Sequence, residues 1–173
     1  MNAHGIVHKY GDHVDTDVII PARYLNTQSH KELASHCMED IDKDFIHRVK
    51  DGDIMVAGVN FGCGSSREHA ALVPMYLGIR CVVAKSFARI HVANLINAGI
   101  LPLTFENPAD YDALQPGAHL RIDDIRTGMA AGKLTLTDTA AGKAYSVVCS
   151  LTERQQAILL AGGLLNYTKE HAL

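Results

Sequence analysis

The sequence predicts an α/β fold with a mostly parallel core and a small antiparallel C-terminal part. The first observation is an alternation of strand and helix patterns in the middle of the chain, with apolar strand-like runs at 54–59, 81–84 and 100–105. Strand–helix–strand units of this kind form parallel sheets. The second observation is a group of short β-leaning runs separated by glycine-containing turns, at 120–123, 133–137 and 144–149. Such spacing is typical of an antiparallel meander.

The remaining elements have local signals of their own. Residues 5–10 and 18–20 are β-leaning and flank a polar turn, which predicts two short strands. Ser29 followed by Glu32 is a capping-box pattern that predicts a helix to about residue 38. Further helices are predicted at 42–49, after the serine-containing turn to about 77, at 86–97 and at 152–161.

Length and composition indicate a globular protein. The 173 residues contain no low-complexity stretch or linker, so we expect one domain, 1–173. A net charge of −3 and the absence of Trp argue against nucleic acid as a partner. The longest apolar run, 157–165, is broken by two glycines and is too short to cross a membrane. We expect no membrane association and a cytoplasmic location.

The cysteines and histidines do not form a metal-binding motif. The chain has four cysteines, and no two have the short spacing of a zinc ribbon or a ferredoxin-like cluster. Cys81 lies in an apolar run, where we expect a small buried side chain. The ten histidines are scattered, without a His-Glu-x-x-His pair. We therefore expect no metal or cluster to be bound by this chain itself.

The most informative segment is the glycine–serine turn, residues 60–68, which follows the predicted strand 54–59. Gly64 allows close approach of a ligand to the backbone, and Ser65 and Ser66 lie where a helix start favours an anion. Arg67 at a helix start lies at the wrong end for the helix dipole, which suggests an anionic ligand. The same residues also fit a structural capping box from Ser65 to Glu68, and the fragment alone leaves both interpretations open.

Several motifs in this order resemble the mobile "swivel" domain of the aconitase superfamily. The first is the turn after residue 10, which contains Asp15-Thr16-Asp17. The second is Gly64-Ser65-Ser66-Arg67-Glu68-His69-Ala70-Ala71-Leu72, and the third is Lys85-Ser86-Phe87-Ala88-Arg89-Ile90-His91. More narrowly, residues 11–25 resemble the free-standing small subunits of the 3-isopropylmalate dehydratase family. The resemblance covers residues 5 to 165, nearly the whole chain.

The resemblance implies a hydro-lyase that is active with a large subunit. That partner would carry a [4Fe–4S] cluster, with a small hydroxy-dicarboxylate as substrate. Ser65 would be the catalytic base, Ser66 and Arg67 would bind a substrate carboxylate, and Gly64 and Asp17 would support the site. For His69 we expect a packed or hydrogen-bonded side chain, and for the matching polar residues of the third motif a solvated or interface position: Lys85, Arg89 and His91.

The resemblance also places the substrate-specificity loop after Tyr24-Leu25. Asn26 and Thr27 would bind the variable arm of the substrate, although Arg23 is close enough in sequence to supply a charge. A loop without an arginine at Asn26 favours an apolar arm, because a buried unpaired cation is costly. This implies interconversion of 2-isopropylmalate and 3-isopropylmalate in leucine biosynthesis.

Other functions remain open at this point. A related hydratase of the homoaconitase, dimethylmalate or citraconate type would use the same residues. A stand-alone regulatory domain would use residues 64–67 as a simple anion-binding nest.

Overall fold

The computed structural model describes residues 2–172, and its strands form a closed barrel. The strands are β1 (Ala3–Lys9), β2 (Ile54–Ala57), β3 (Cys81–Ala84), β4 (Leu101–Phe105), β5 (His119–Ile122), β6 (Lys133–Asp138) and β7 (Lys143–Val148). Their order around the barrel is β1-β2-β3-β4-β7-β6-β5. The first four are parallel to one another, and the remaining pairings are antiparallel.

The α/β class and the antiparallel C-terminal strands are confirmed, but the sheet is one closed mixed barrel rather than a mostly parallel core. The reason is that β1 pairs on both sides. Its second half pairs in parallel with β2, with Val7 opposite Ile54, and its first half pairs antiparallel with β5, with Ala3 opposite Ile122. Both parts of the chain therefore share one closed sheet, which leaves no free edge among its strands.

The helices surround this sheet and are mostly short. They are α1 (Thr16–Ile19), α2 (His30–Ala34), α3 (Phe45–Arg48), α4 (His69–Tyr76), α5 (Arg89–Asn97), α6 (Asp110–Ala113), α7 (Ile125–Ala131), α8 (Glu153–Ala161) and α9 (Leu164–Glu170). The predicted caps of α2 and α8 are confirmed, because Ser29 accepts the N–H of Glu32 and Thr152 accepts the N–H of Gln155. Among the described helices, none is long and apolar enough to cross a membrane.

The predicted strand at 18–20 is wrong, because this segment is part of α1. Asp15 is the cause: its side chain accepts the N–H of Val18 at 2.8 Å and caps the first turn. This local hydrogen bond outweighs the β preference of Val18 and Ile19.

Burial explains why β2 and β3 are apolar throughout. All their residues are buried, because alternate side chains fill the barrel interior and the layer between the sheet and α2, α4 and α5. Ile54 and Cys81, for example, belong to the interior cluster, whereas Met55 and Val82 belong to the outer one. β5 alternates exposed and buried residues, as expected for a strand with one wet face.

Candidate functional site

The candidate site lies at the carboxyl ends of three neighbouring parallel strands. β1, β2 and β3 end at Lys9, Ala57 and Ala84, and the loop after each one contains one of the motifs singled out in the sequence. Loops at the carboxyl ends of parallel strands are the usual binding position in α/β sheets. Because the three strands are adjacent, their loops lie side by side.

Three hydrogen bonds to backbone carbonyls join the first loop to the glycine–serine turn. Val14 accepts the N–H of Gly62 at 2.7 Å, and Cys63 accepts the N–H of Thr16 at 2.9 Å. The hydroxyl of Thr16 then donates to the carbonyl of Ser65 at 2.7 Å. Thr16 is 2% exposed, so this bond is shielded from water and fixes the backbone at Ser65. Thr16 was not predicted as a site residue, although it lies within the first motif.

The third loop is joined to the other side of the glycine–serine turn. The N–H of Phe61 donates to Ser86 at 3.0 Å, and the carbonyl of Phe61 accepts the N–H of Ala88 at 2.9 Å. The hydroxyl of Ser86 accepts the N–H of Asn60 at 2.8 Å. The turn is therefore held on both flanks by backbone contacts, which leaves its tip free to face a ligand.

The tip of the turn presents two exposed hydroxyl groups, those of Ser65 and Ser66. The structural-cap interpretation of Ser65 is wrong, because α4 begins at His69 and its cap position is Glu68. The prediction that Ser65 and Ser66 lie at the helix start is wrong for the same reason. Gly64 precedes them with a φ of +89°, a conformation that side chains rarely adopt.

The backbone of the turn offers free hydrogen-bond donors. Among the residues that the structure describes, no acceptor is recorded for the N–H groups of residues 64–68, and backbone bonding resumes at Ala70, which donates to Arg67. Consecutive unpaired N–H groups in a glycine-containing turn form an anion-binding concavity. Because these residues are mostly exposed, water satisfies the donors until a ligand displaces it.

Arg67 and Asp17 form an ion pair across the two loops. Nη1 of Arg67 donates to Oδ1 of Asp17 at 3.0 Å, and the same oxygen accepts the N–H of Ala22 at 2.8 Å. These contacts, the Ala22 bond first and the Arg67 bond second, lower the pKa of Asp17. Asp17 is therefore a carboxylate at neutral pH and orients the guanidinium.

The residues predicted to bind the substrate arm lie on the loop that Asp17 helps to anchor. Ala22 begins a 3₁₀ turn that ends at Tyr24; Asn26 after it is exposed, and Thr27 is half-buried. The structure joins this loop to the serine turn through Asp17. Arg23 does not supply its charge to the predicted substrate-binding loop, because its guanidinium is paired with Asp40 at 2.7 Å and with Glu39 at 3.2 Å.

A pocket of about 220 Å³ lies between the serine turn and the start of α5. Its polar lining consists of Thr16, Ser66, Arg67, Arg89, His91 and Asn94. His91 is 2% exposed, so the expected solvated or interface position is wrong for this residue. Neither ring nitrogen has a hydrogen-bond partner among the described residues, and burial lowers the pKa of His91 to about 4. A buried unpaired donor costs about 1–3 kcal/mol, and nothing in the third motif predicted that His91 would be buried beside this pocket.

The other polar residues of the motifs lie outside this pocket, except Arg89. His69 is exposed at the first position of α4, so the expected packed position is wrong. The ammonium of Lys85 lies 4.7 Å above the ring of Tyr111, as part of a cation–π contact shared with Lys9. Arg89 is exposed and lines the pocket.

The four cysteines are free thiols. Cys81 is buried inside the barrel, as expected, and burial raises the pKa of its thiol. Within residues 2–172, no three His, Cys, Asp or Glu side chains are grouped so that they could hold a metal ion.

Comparison with known proteins identifies the class to which this fold and site belong. Residues 15–108, which include all three motif loops, match the family described as the aconitase C-terminal domain. The chain belongs to this family.

Its relatives of similar length are small subunits of dehydratases. It is 52% identical over 171 residues to the 3-isopropylmalate dehydratase small subunit of Lachnoclostridium phytofermentans, covering 98% of this chain and 97% of that protein. It is 48% identical over 167 residues to the 2,3-dimethylmalate dehydratase small subunit of Eubacterium barkeri, covering 96% of each. The crystal structure of 3-isopropylmalate dehydratase (leuD) from Methanocaldococcus jannaschii has a TM-score of 0.85 at 44% identity, covering 98% of this chain and 95% of that one.

Proposed function

We propose that this chain is the small subunit of a hydro-lyase that interconverts 2-isopropylmalate and 3-isopropylmalate by dehydration and rehydration. The observation that carries the proposal is the exposed Ser65 hydroxyl on a turn fixed from both sides, with the Arg67 guanidinium two residues away. A small subunit of 3-isopropylmalate dehydratase with 52% identity over nearly the whole chain supports the reaction type.

Ser65 is the proposed base for the substrate C–H bond. Its Oγ receives the proton in one direction and returns it in the other. A serine hydroxyl is a weak base, so the site has to stabilise the alkoxide that accepts the proton. The unpaired N–H groups of residues 64–68 and the positive charge of Arg67 are the groups available for this.

Ser66 and Arg67 are the proposed holders of a substrate carboxylate. Removing a proton from the carbon next to a carboxylate moves negative charge onto its oxygens. A guanidinium already oriented by Asp17 needs little reorganisation to stabilise that charge. Gly64 supports this arrangement because it lines the pocket with a φ of +89°, which other residues rarely adopt. Asp17 is thus a supporting residue.

The large subunit is the proposed partner, and it would bring a [4Fe–4S] cluster. A cluster with an open iron supplies Lewis acidity to the departing hydroxyl group. The residues of this chain fit that division, because the site offers hydroxyl, guanidinium and N–H donors, and no three His, Cys, Asp or Glu side chains of the described part are grouped so that they could hold a metal ion. Its own contribution is to bind, orient and exchange a proton with the substrate.

The 2,3-dimethylmalate relative supports a second candidate substrate. Its 48% identity is close to the 52% of the isopropylmalate relative, so overall similarity does not separate the two. Asn26 and Thr27 form the proposed contact with the substrate arm, and both are uncharged. An uncharged loop suits an isopropyl or a methyl arm, and it disfavours a third carboxylate.

Reconstitution with the large subunit tests this function. We expect the mixture to dehydrate 3-isopropylmalate with a kcat/KM at least tenfold above that for 2,3-dimethylmalate or homocitrate, and this chain alone to be inactive. Absorbance of the unsaturated product measures each rate. Turnover of 2,3-dimethylmalate above that of isopropylmalate would replace the main candidate by the second, and turnover by this chain alone would contradict the need for a partner.

A further inference from the structure

The start of α5 is a second set of donors facing the same pocket. Ala88 occupies the cap position and provides no side-chain hydrogen bond. The first helical bond recorded among the described residues is from Val92 to Ala88, so the N–H groups of residues 89–91 have no backbone acceptor. All three residues line the pocket. An uncapped helix start with free N–H groups attracts an anion.

His91 is an independent indication of a ligand. Its imidazole is packed against the backbone of Gly62, where a Cβ would lie 2.2 Å from ring atoms, so the ring has no room to move toward Gly62. Both of its nitrogens are buried and unpaired. A neutral imidazole has one N–H donor and one acceptor, and native proteins rarely leave such groups unsatisfied.

The charges around the pocket select the kind of ligand. Arg67 of the serine turn and Arg89 at the start of α5 both line the pocket, and Ser66 and Asn94 add neutral donors. The carboxylate of Asp17 is directed to Arg67 and is not part of the lining. Two guanidinium groups, helix N–H groups and a neutral imidazole together favour a compact anion with several acceptor oxygens.

We propose that this pocket holds one carboxylate of the hydroxy-dicarboxylate substrate, bound by the N-terminal N–H groups of α5, Arg89 and the N–H of His91 in addition to Ser66 and Arg67. This inference rests on the proposed function for the identity of the substrate. It adds α5 to the binding site, and it makes His91 a substrate-binding residue rather than a core residue.

The test is a comparison of malate with its two monoamides, in which one or the other carboxylate is replaced by an uncharged group. Binding to the reconstituted two-subunit complex is measured by calorimetry, without turnover. We expect wild type to prefer malate over one of the monoamides. Arg89→Gln and His91→Phe should each weaken malate binding by about tenfold or more, because each removes a charge-assisted hydrogen bond. The monoamide that lacks the carboxylate held in this pocket should bind the two variants and wild type with the same affinity.

Arg126→Gln is the matched control. Arg126 is exposed on α7, outside this pocket, and its loss changes the net charge by the same amount. We expect it to leave all three dissociation constants unchanged.

Equal weakening of malate and both monoamides by Arg89→Gln would overturn the proposal, as would no effect on any of them. Because Arg89 is exposed, this variant decides the question even if His91→Phe does not fold. Malate selectivity that depends on Arg89 in a complex without dehydratase activity would refute the proposed reaction and leave the carboxylate subsite standing.

Discussion

The His91 ring packs directly against the backbone of Gly62. Gly62 has a φ of +82°, and a Cβ there would lie 2.2 Å from the ring of His91. The glycine is therefore required by the backbone and by the imidazole at once. His91 also contacts Phe61 edge-on, with 5.4 Å between ring centroids. These contacts bury the imidazole and disfavour its charged form.

We predict that His91 makes the fold more sensitive to acid. Its pKa is about 4 in the folded chain and about 6.5 when exposed, so between these values the unfolded state binds the extra proton. The free energy of unfolding therefore falls as the pH is lowered from 6.5 towards 4, by up to about 3 kcal/mol from this residue. Urea unfolding of wild type and His91→Phe from pH 7 to pH 4.5 measures the difference, which should favour the variant progressively at lower pH. Parallel pH profiles for the two proteins would contradict this.

Sequence reasoning identified the residues of the turn but not their geometry. Ser65 and Glu68 have the spacing of a capping box, yet α4 begins one residue after Glu68. Nothing in residues 60–68 alone distinguishes these outcomes, because the hydrogen bond from Thr16 to the Ser65 carbonyl comes from a loop 49 residues earlier. The carboxylate of Asp17 likewise reaches Arg67 from a distant part of the sequence.

At the scale of elements, local signals predicted the capped helices best. Thr152 and Gln155 form a reciprocal capping box at the start of α8, and this pattern can be read within four residues. Helices α6, α7 and α9 were missed, and none of the three has a side-chain cap hydrogen bond among the described residues. Their positions depend on packing against the barrel, which a local pattern does not reveal.

We predict that Thr152→Ala lowers the free energy of unfolding by about 1 kcal/mol, because it removes the capping bond to Gln155. For a chain of this length, the loss corresponds to about 2–4 °C in Tm. Thr127→Ala is the control, since Thr127 is exposed inside α7 and alanine is the better helix former. Chemical unfolding of the three proteins measures the effect. An equal loss in both variants would show that the cap has no special contribution.

At the scale of the whole molecule, the sequence did not predict closure of the barrel. β2, β3 and β4 were recognised from their apolar runs, β1 from its β-leaning residues before a polar turn, and β5, β6 and β7 from the turns between them. Closure depends on two contacts between distant segments, the pairing of β1 with β5 and that of β4 with β7. Pro102 illustrates the difficulty. A proline within a strand is typical of an edge or a strand end, but β4 has a neighbour on both sides, and Pro102 lies before its pairing with β7, which involves Thr104 and Phe105.

The closed sheet supports an exposed turn that the proposed large subunit could contact. The carboxyl ends of β1, β2 and β3 hold the serine turn on a rigid base, while the turn itself remains exposed. Ile90, at the rim of the pocket, is 60% exposed. The exposed serine turn and the exposed Ile90 side chain form the surface that the proposed large subunit would complete.

The most direct test of the account is Ser65→Ala in the reconstituted complex. If the Ser65 hydroxyl is the base, kcat for 3-isopropylmalate should fall by about 10³-fold, while KM changes little because Arg67 and Ser66 still bind the carboxylate. Turnover within a few-fold of wild type would contradict the account, because the proton would then be removed by another group.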